Sequence, residues 1–324
     1  MNRNLLNIFL TILLFTYGCD APRNNILDPA AGVQDIPAVS GRVFKLNPAR
    51  DPVPGVLIKN KSGTLSTLSS TDGSFSITVL NERPSILYLE KPGFHPDSVL
   101  IDWGNSKNVN FEVSLNSIPE AFNTRFFSSV TNRFPDLVSY RFSFETEILD
   151  IEGDLDSIVV YSDEFDFNRR LEFNPGTRKY EISFGLFDIA GIDNPAAIIA
   201  KDFFLISYEN TGKATITGVS SIKRIITTEP RLVSPANAIE TPSQPEFVWL
   251  NYDPGFNPEY SIGIFTDDIQ PEPVLNFQIP KGTTTSSFKL NSNLPPGSYF
   301  WVLFCKDEFN NSVRSKPASF RVRN

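Results

Sequence analysis

Val138-Ser139-Tyr140-Arg141-Phe142-Ser143-Phe144-Glu145 sends its side chains alternately to two sides. Tyr140, Phe142 and Phe144 share one parity, while Arg141, Ser143 and Glu145 share the other. That period of two predicts a strand with one buried and one solvated face. Apolar runs of strand length recur outward from it at residues 157–161, 180–187 and 203–208. No stretch supplies a long amphipathic helix, and residues 194–201 have room for one turn or two. The chain therefore reads as all-β, with short strands and frequent turns that fit sandwiches.

Composition narrows the chemistry. The chain has 324 residues, 28 of them Phe and 25 Pro, with 1 His and 2 Cys. An ordinary zinc site needs about four Cys or His ligands, so none is expected. A histidine-based triad would have to run through His95 alone. Lys and Arg number 29 against 37 Asp and Glu, a net charge of −8 that gives no basic field for nucleic acid. Hydrophobic residues make up 40%, enough to build folded cores. The length allows two or three domains, and three tandem β-sandwiches are expected at 39–115, 116–228 and 229–324.

In the first of these, Pro52-Val53-Pro54-Gly55 predicts a turn, and Thr71-Asp72-Gly73 predicts a hairpin turn with Gly at positive φ. Pro92-Gly93 suits a type II turn. A small antiparallel sandwich follows. The spaced motifs G-R-V, P-V-P-G-V, S-T-D-G-S-F-S-I and K-P-G-F resemble the carboxypeptidase regulatory-like domain. That resemblance implies a prealbumin-like sandwich with no catalytic residues of its own. His95, just beyond Gly93-Phe94, reads as a solvated loop residue.

In the last segment, residues 247–249, 260–265, 288–290, 299–305 and 318–322 read as strands. Trp249, the L-P-P-G-x-Y approach to Tyr299, the D-x-x-N-N-S corner from Asp307 and the closing F-x-V resemble a bacterial fibronectin type III domain. Tyr299, Trp301, Leu303 and Cys305 share one parity, so Cys305 should be buried with Trp301 as a small, unreactive hydrophobe.

The middle segment is predicted to be immunoglobulin-like. Its Asp188-Ile189-Ala190-Gly191 step resembles a corner of bacterial immunoglobulin-like domains. Asp150, Glu152, Asp154 and Asp156 cluster around Gly153. They are candidate ligands for Ca²⁺, which takes six to eight oxygens from a flexible loop, though no EF-hand frame is present. The alternative is an acidic, solvated turn. Asp163, Glu164 and Asp166 interleave with Phe165 and Phe167, which reads as a hairpin end or a contact loop.

Residues 1–18 look like a secretory leader. Arg3 supplies the positive start, and an apolar run of residues 5–15 would reach roughly 17 Å as a helix, short of the ~30 Å hydrocarbon core. Thr16-Tyr17-Gly18-Cys19 resembles the lipobox of bacterial lipoproteins, which implies cleavage before Cys19 and its acylation. Residues 19–38, rich in Pro, Asn, Asp and Ala, read as a tether. Loss of Arg3 with the leader would move the net charge from −8 to −9, so attachment would rest on acyl chains and not on a basic patch. The expected protein is a non-enzymatic lipoprotein of the bacterial cell envelope. It would be membrane-anchored, on the outer membrane facing periplasm or exterior. It would act as a binding or scaffold module without cofactors, calcium aside. Carbohydrate or nutrient capture is the alternative, with an unidentified protein or glycan as partner.

Overall fold

The computed structural model describes residues 37–78, 85–280 and 286–323, so the leader, Cys19 and the tether up to residue 36 lie outside the described residues. The chain divides into two compact units, Met1–Asn116 and Ser117–Asn324.

Seven strands build the first unit: β1 (Ala38–Lys45), β2 (Leu57–Asn60), β3 (Ser66–Leu68), β4 (Ser74–Thr78), β5 (Ser85–Glu90), β6 (Asp97–Ile101) and β7 (Asn108–Leu115). They form two sheets, ordered β4-β1-β7 and β3-β2-β5-β6. Val39, Val43, Ile58, Leu87, Leu89 and Leu115 fill the space between them, all essentially fully buried. Each such side chain contributes roughly 1.5–3 kcal/mol on leaving water. Gly41 sits where no side chain fits: a Cβ there would lie 2.3 Å from the Phe111 carbonyl oxygen and 2.9 Å from the Phe75 ring.

Two details of the expected sandwich change. It is not wholly antiparallel, because β1 pairs with β7 in parallel. Nor do β3 and β4 form a hairpin. β3 pairs with β2 and β4 with β1, so Thr71-Asp72-Gly73 turns a corner between sheets. The Ser69 hydroxyl donates to the Val53 carbonyl (2.7 Å) and accepts from Val56 N–H (2.9 Å), tying the end of β3 to the approach to β2. Gly73 takes φ +76°, as the turn demands, and so does Gly93 at +83°.

The second unit opens with β8 (Glu120–Arg133), β9 (Leu137–Leu149), β10 (Leu155–Ser162), β11 (Phe167–Arg170), β12 (Glu172–Asn174) and β13 (Lys179–Gly185). Two short 3₁₀ helices, Leu186–Asp188 and Pro195–Ile198, precede β14 (Phe203–Glu209) and β15 (Ala214–Ser220). The remaining strands are β16 (Leu232–Ser234), β17 (Ile239–Thr241), β18 (Glu246–Trp249), β19 (Glu259–Thr266), β20 (Pro273–Gln278), β21 (Ser287–Lys289), β22 (Gly297–Lys306), β23 (Ser312–Arg314) and β24 (Ala318–Val322).

Tyr140, Phe142 and Phe144 do turn inward: Phe142 and Phe144 are essentially fully buried against Ile158, Val160, Phe203 and Leu205 of the facing sheet β11-β10-β14-β15. A second core gathers Phe247, Trp249, Ile262, Ile264, Trp301, Leu303 and Phe320 under the sheet β16-β18-β21. Opposite both runs one ten-stranded sheet. Its main path is β12-β13-β9-β8-β23-β22-β19-β20, with β24 and β17 branching from β22. The join is β8 against β23, parallel, with Ser129 beside Ser312, Val130 beside Val313 and Thr131 beside Arg314. The middle and last sandwiches therefore share a hydrogen-bonded wall, which their separate sequence signatures do not announce.

Candidate functional site

The acidic cluster sits at the turn from β9 into β10, and three of its four carboxylates, those of Asp150, Glu152 and Asp156, turn to separate partners. Asp150 Oδ2 accepts from Leu155 N–H at 2.8 Å. Glu152 takes the Ser117 N–H at 3.2 Å and the Ser117 hydroxyl, fastening the start of the unit. Asp156 accepts from the Ser157 hydroxyl at 2.8 Å. Among the described residues, no three His, Cys, Asp or Glu side chains converge on one point to hold a metal ion. Nearby, Phe165 and Phe167 are core side chains. Phe165 stacks on Phe203 and Phe167 packs on Phe184, so that acidic segment is the β10–β11 hairpin end.

His95 is buried, only 8% exposed, in place of the solvated position expected of it. Its backbone N–H reaches the Asn116 carbonyl at 2.9 Å, which draws the Pro92-Gly93 turn into the first unit.

Cys305 is buried on β22 at the inward parity of Trp301, but it packs into the core of the middle sandwich with Val313 while Trp301 lies in that of the last. Burial, with the Asp307 carboxylate adding to it, pushes the thiol up to about 12. Two half-buried tyrosines neighbour it. Tyr252 donates to the Thr228 carbonyl at 2.5 Å, and Tyr260 donates to the Tyr252 carbonyl at 3.2 Å. Burial raises both phenols, Tyr260 to about 12. These groups stay protonated at neutral pH, and a protonated thiol is a poor nucleophile.

The most elaborate polar arrangement is the Asp307–Asn311 corner. Asp307 Oδ1 accepts from the backbone of Phe309 (2.9 Å) and Asn311 (2.8 Å), and Oδ2 accepts from Asn311 Nδ2 (3.0 Å). Asn311, with no exposure, turns its Oδ1 to Ser128 of β8, accepting from the backbone N–H at 2.8 Å and the hydroxyl at 3.0 Å. Arg224 lies 3.5 Å from the buried Asp307 carboxylate, with Phe256 stacked at 4.4 Å from its guanidinium. On the other side of Val130, Asn132 Nδ2 donates to the Arg314 carbonyl (2.9 Å) while an Arg314 guanidinium N–H donates to the Asn132 carbonyl (3.3 Å). These bonds clamp the β8–β23 join from both ends. They satisfy buried polar groups in place of leaving them orphaned.

Surface grooves are open and polar. One of about 500 Å³ lies among Phe134, Glu229, Val233, Lys316 and Pro317. Its Lys316 is already paired with Asp136 (2.7 Å) and Glu229 (3.7 Å).

No protein-family model and no curated protein matches the chain. Among solved structures, the major pilin subunit BcpA of Bacillus cereus is 10% identical, with 89% of this chain and 95% of that one covered and a TM-score of 0.30. The chicken CNTN1 FN1–FN3 domains are 10% identical over 83% of this chain and 91% of theirs, at 0.31. The fibronectin(III)-like modules of Clostridium thermocellum CbhA are 8% identical over 63% and 93%, at 0.30.

Proposed function

We propose that the chain is a lipid-anchored protein of the bacterial cell envelope that works as a non-enzymatic binding or scaffold module. Acylated Cys19 would hold it to the outer membrane, residues 19–38 would space it away, and the first sandwich would serve as a carboxypeptidase regulatory-like module. The observation that carries the anchor is the short apolar leader ending in Gly18-Cys19. An acidic body has no electrostatic route onto anionic lipid, and two or more acyl chains hold without one. The scaffold role is supported by the clamped ten-stranded sheet, which holds two sandwiches in one orientation. Metabolic labelling with palmitate tests the anchor: the label should vanish in Cys19→Ala, and label retained there overturns it. A second reading, capture of carbohydrate, is favoured by one observation: β22 is aromatic on both parities. Tyr299 and Trp301 face the core, while Phe300 and Phe304 face away from it.

A further inference from the structure

Where the two sandwiches meet, the outer face of the ten-stranded sheet gathers charge of one sign. The register of β9, β8, β23 and β22 places it. Arg141 stands across from Ser129, Ser129 beside Ser312, and Ser312 across from Lys306. In the next row Ser139 stands across from Thr131, and Thr131 lies beside Arg314. Arg133 follows Thr131 on the same parity of β8. The alternate positions Val130, Val313 and Cys305 are fully buried, so all of these side chains belong to the outer face. With strands about 4.8 Å apart, the patch runs roughly 14 Å from Arg141 to Lys306.

Farther from the join, the cations of this face are neutralised: Arg125 and Lys179 both pair with Glu145 (2.7 and 3.3 Å). Arg133, Arg141, Lys306 and Arg314 form no ion pair among the described residues. The acids near them do not serve them. Glu259 stands across from Lys306 without bonding to it, and Asp136, in the turn beyond Arg133, is taken by Lys316 at 2.7 Å. A chain of net charge −8 thus leaves these cations together and unopposed. Arg314 is the innermost. One of its guanidinium N–H groups donates to the Asn132 carbonyl at 3.3 Å, while its Nε–H is covered from water and has no acceptor. Burial, and then the Arg133 guanidinium nearby, pull Arg314 below its usual value. A half-buried cation with a like charge for a neighbour is costly until a counter-charge arrives. Clamping Asn132 explains Arg314 alone and does not call for Arg133, Arg141 and Lys306 around it.

We infer that this patch binds a phosphate-bearing ligand, with the phosphate held by Arg133 and Arg314 and any further negative charge drawn by Lys306 and Arg141. A phosphomonoester carries a charge of about −1.5 to −2 on three acceptor oxygens, enough to offset two guanidiniums, whereas a carboxylate brings a single charge. The guanidinium fork matches phosphate oxygens in pairs, and the Thr131 and Ser139 hydroxyls supply further donors on the same row. The phosphate can belong to a soluble compound or to a lipid headgroup. The inference rests on the reading of the chain as a binding module and names its ligand class.

The test is isothermal titration of the full chain in non-ionic detergent with pyrophosphate, glycerol 3-phosphate, dihexanoyl phosphatidic acid and, as a polycarboxylate, citrate. Pyrophosphate should bind more tightly than citrate and should weaken as salt is raised. Arg314→Gln and Arg133→Gln should each weaken it about tenfold. Arg169→Gln, the same charge change on the facing sheet, should leave it unchanged. The Arg133 side chain is exposed and takes no part in the clamp, so Arg133→Gln decides the matter if Arg314→Gln fails to fold. Phosphatidic acid binding at least tenfold tighter than glycerol 3-phosphate upholds the site and puts the phosphate on a lipid; equal binding upholds it and puts the phosphate on a soluble compound. Citrate binding as tight as pyrophosphate, no binding of any phosphate, or binding undiminished in Arg133→Gln overturns the site. Palmitate labelling still reads the anchored module separately.

Discussion

Asn311→Ala removes the residue that ties β23 to β8. Its side chain makes three hydrogen bonds, two accepted from Ser128 and one donated to Asp307, in a site with no solvent access. The substitution leaves the buried Ser128 N–H without its acceptor and the Asp307 carboxylate short of one donor. A neutral bond contributes about 1 kcal/mol, and a buried group left unsatisfied costs ~1–3 kcal/mol. The expected loss is about 3 kcal/mol, or a melting shift of roughly 6–12 °C for a unit of this size. Urea titration followed by tryptophan fluorescence and by far-ultraviolet circular dichroism reads it. With Trp103 of the first unit replaced by Phe, Trp249 and Trp301 report the last sandwich, and the dichroism reports the strands of both sandwiches. The two signals of the second unit should move to lower urea together, because the clamp belongs to both sandwiches. A loss below about 0.5 kcal/mol, the usual range for surface substitutions, would refute the reasoning. So would an early transition in the tryptophan signal with the remainder unmoved. Asn311→Asp sharpens the test: it keeps an acceptor for Ser128 but sets a carboxylate against Asp307, so its loss should shrink as pH falls.

Other outcomes follow from the same geometry. In a Cys19→Ser chain, Cys305 is the remaining thiol, and it should resist a disulfide reagent at pH 8 until denaturant is added; prompt native labelling would contradict its burial. Its folded value, raised to about 12 from about 9, means the unfolded chain sheds the proton first, so this contribution is full below pH 9 and is lost as pH rises toward 12. Tyr260 acts in the same sense between about 10 and 12. Cys305→Ala should therefore flatten the alkaline fall in melting temperature. Gly73→Ala should destabilise the first unit by several kcal/mol, because φ is +76° and the added Cβ would sit 2.4 Å from the Val43 carbonyl oxygen; a melting curve unchanged within 1 °C would contradict this. A calcium chelator should leave the melting temperature of the full chain where it was, given the separate partners of Asp150, Glu152 and Asp156. A calcium-dependent rise would restore that loop as a metal site.

Strands with clean alternation are legible in the sequence. Tyr140, Phe142 and Phe144 announce a buried face, Trp301 and Cys305 share the inward parity, and the closing strand at 318–322 falls where the pattern puts it. β8 was not readable, although at 14 residues it is the longest strand described. Its inward positions include Ser128 and Asn132, which break the apolar parity. Both are buried because Asn311 and Arg314, more than 180 residues away, satisfy them. A pattern read along one strand carries no trace of a partner so distant. His95 was misplaced because a loop histidine gives no local sign that its turn is folded inward.

The shared wall also sets where this chain can be cut. A fragment ending near residue 228 keeps β8 but loses β23, leaving a long strand with an unpaired edge and a buried Ser128 open to water. The complementary fragment strips β23 of its neighbour in the same way. What reads as two separable modules is one structural piece, because the boundary the sequence suggests divides strands that complete each other across the β8–β23 join.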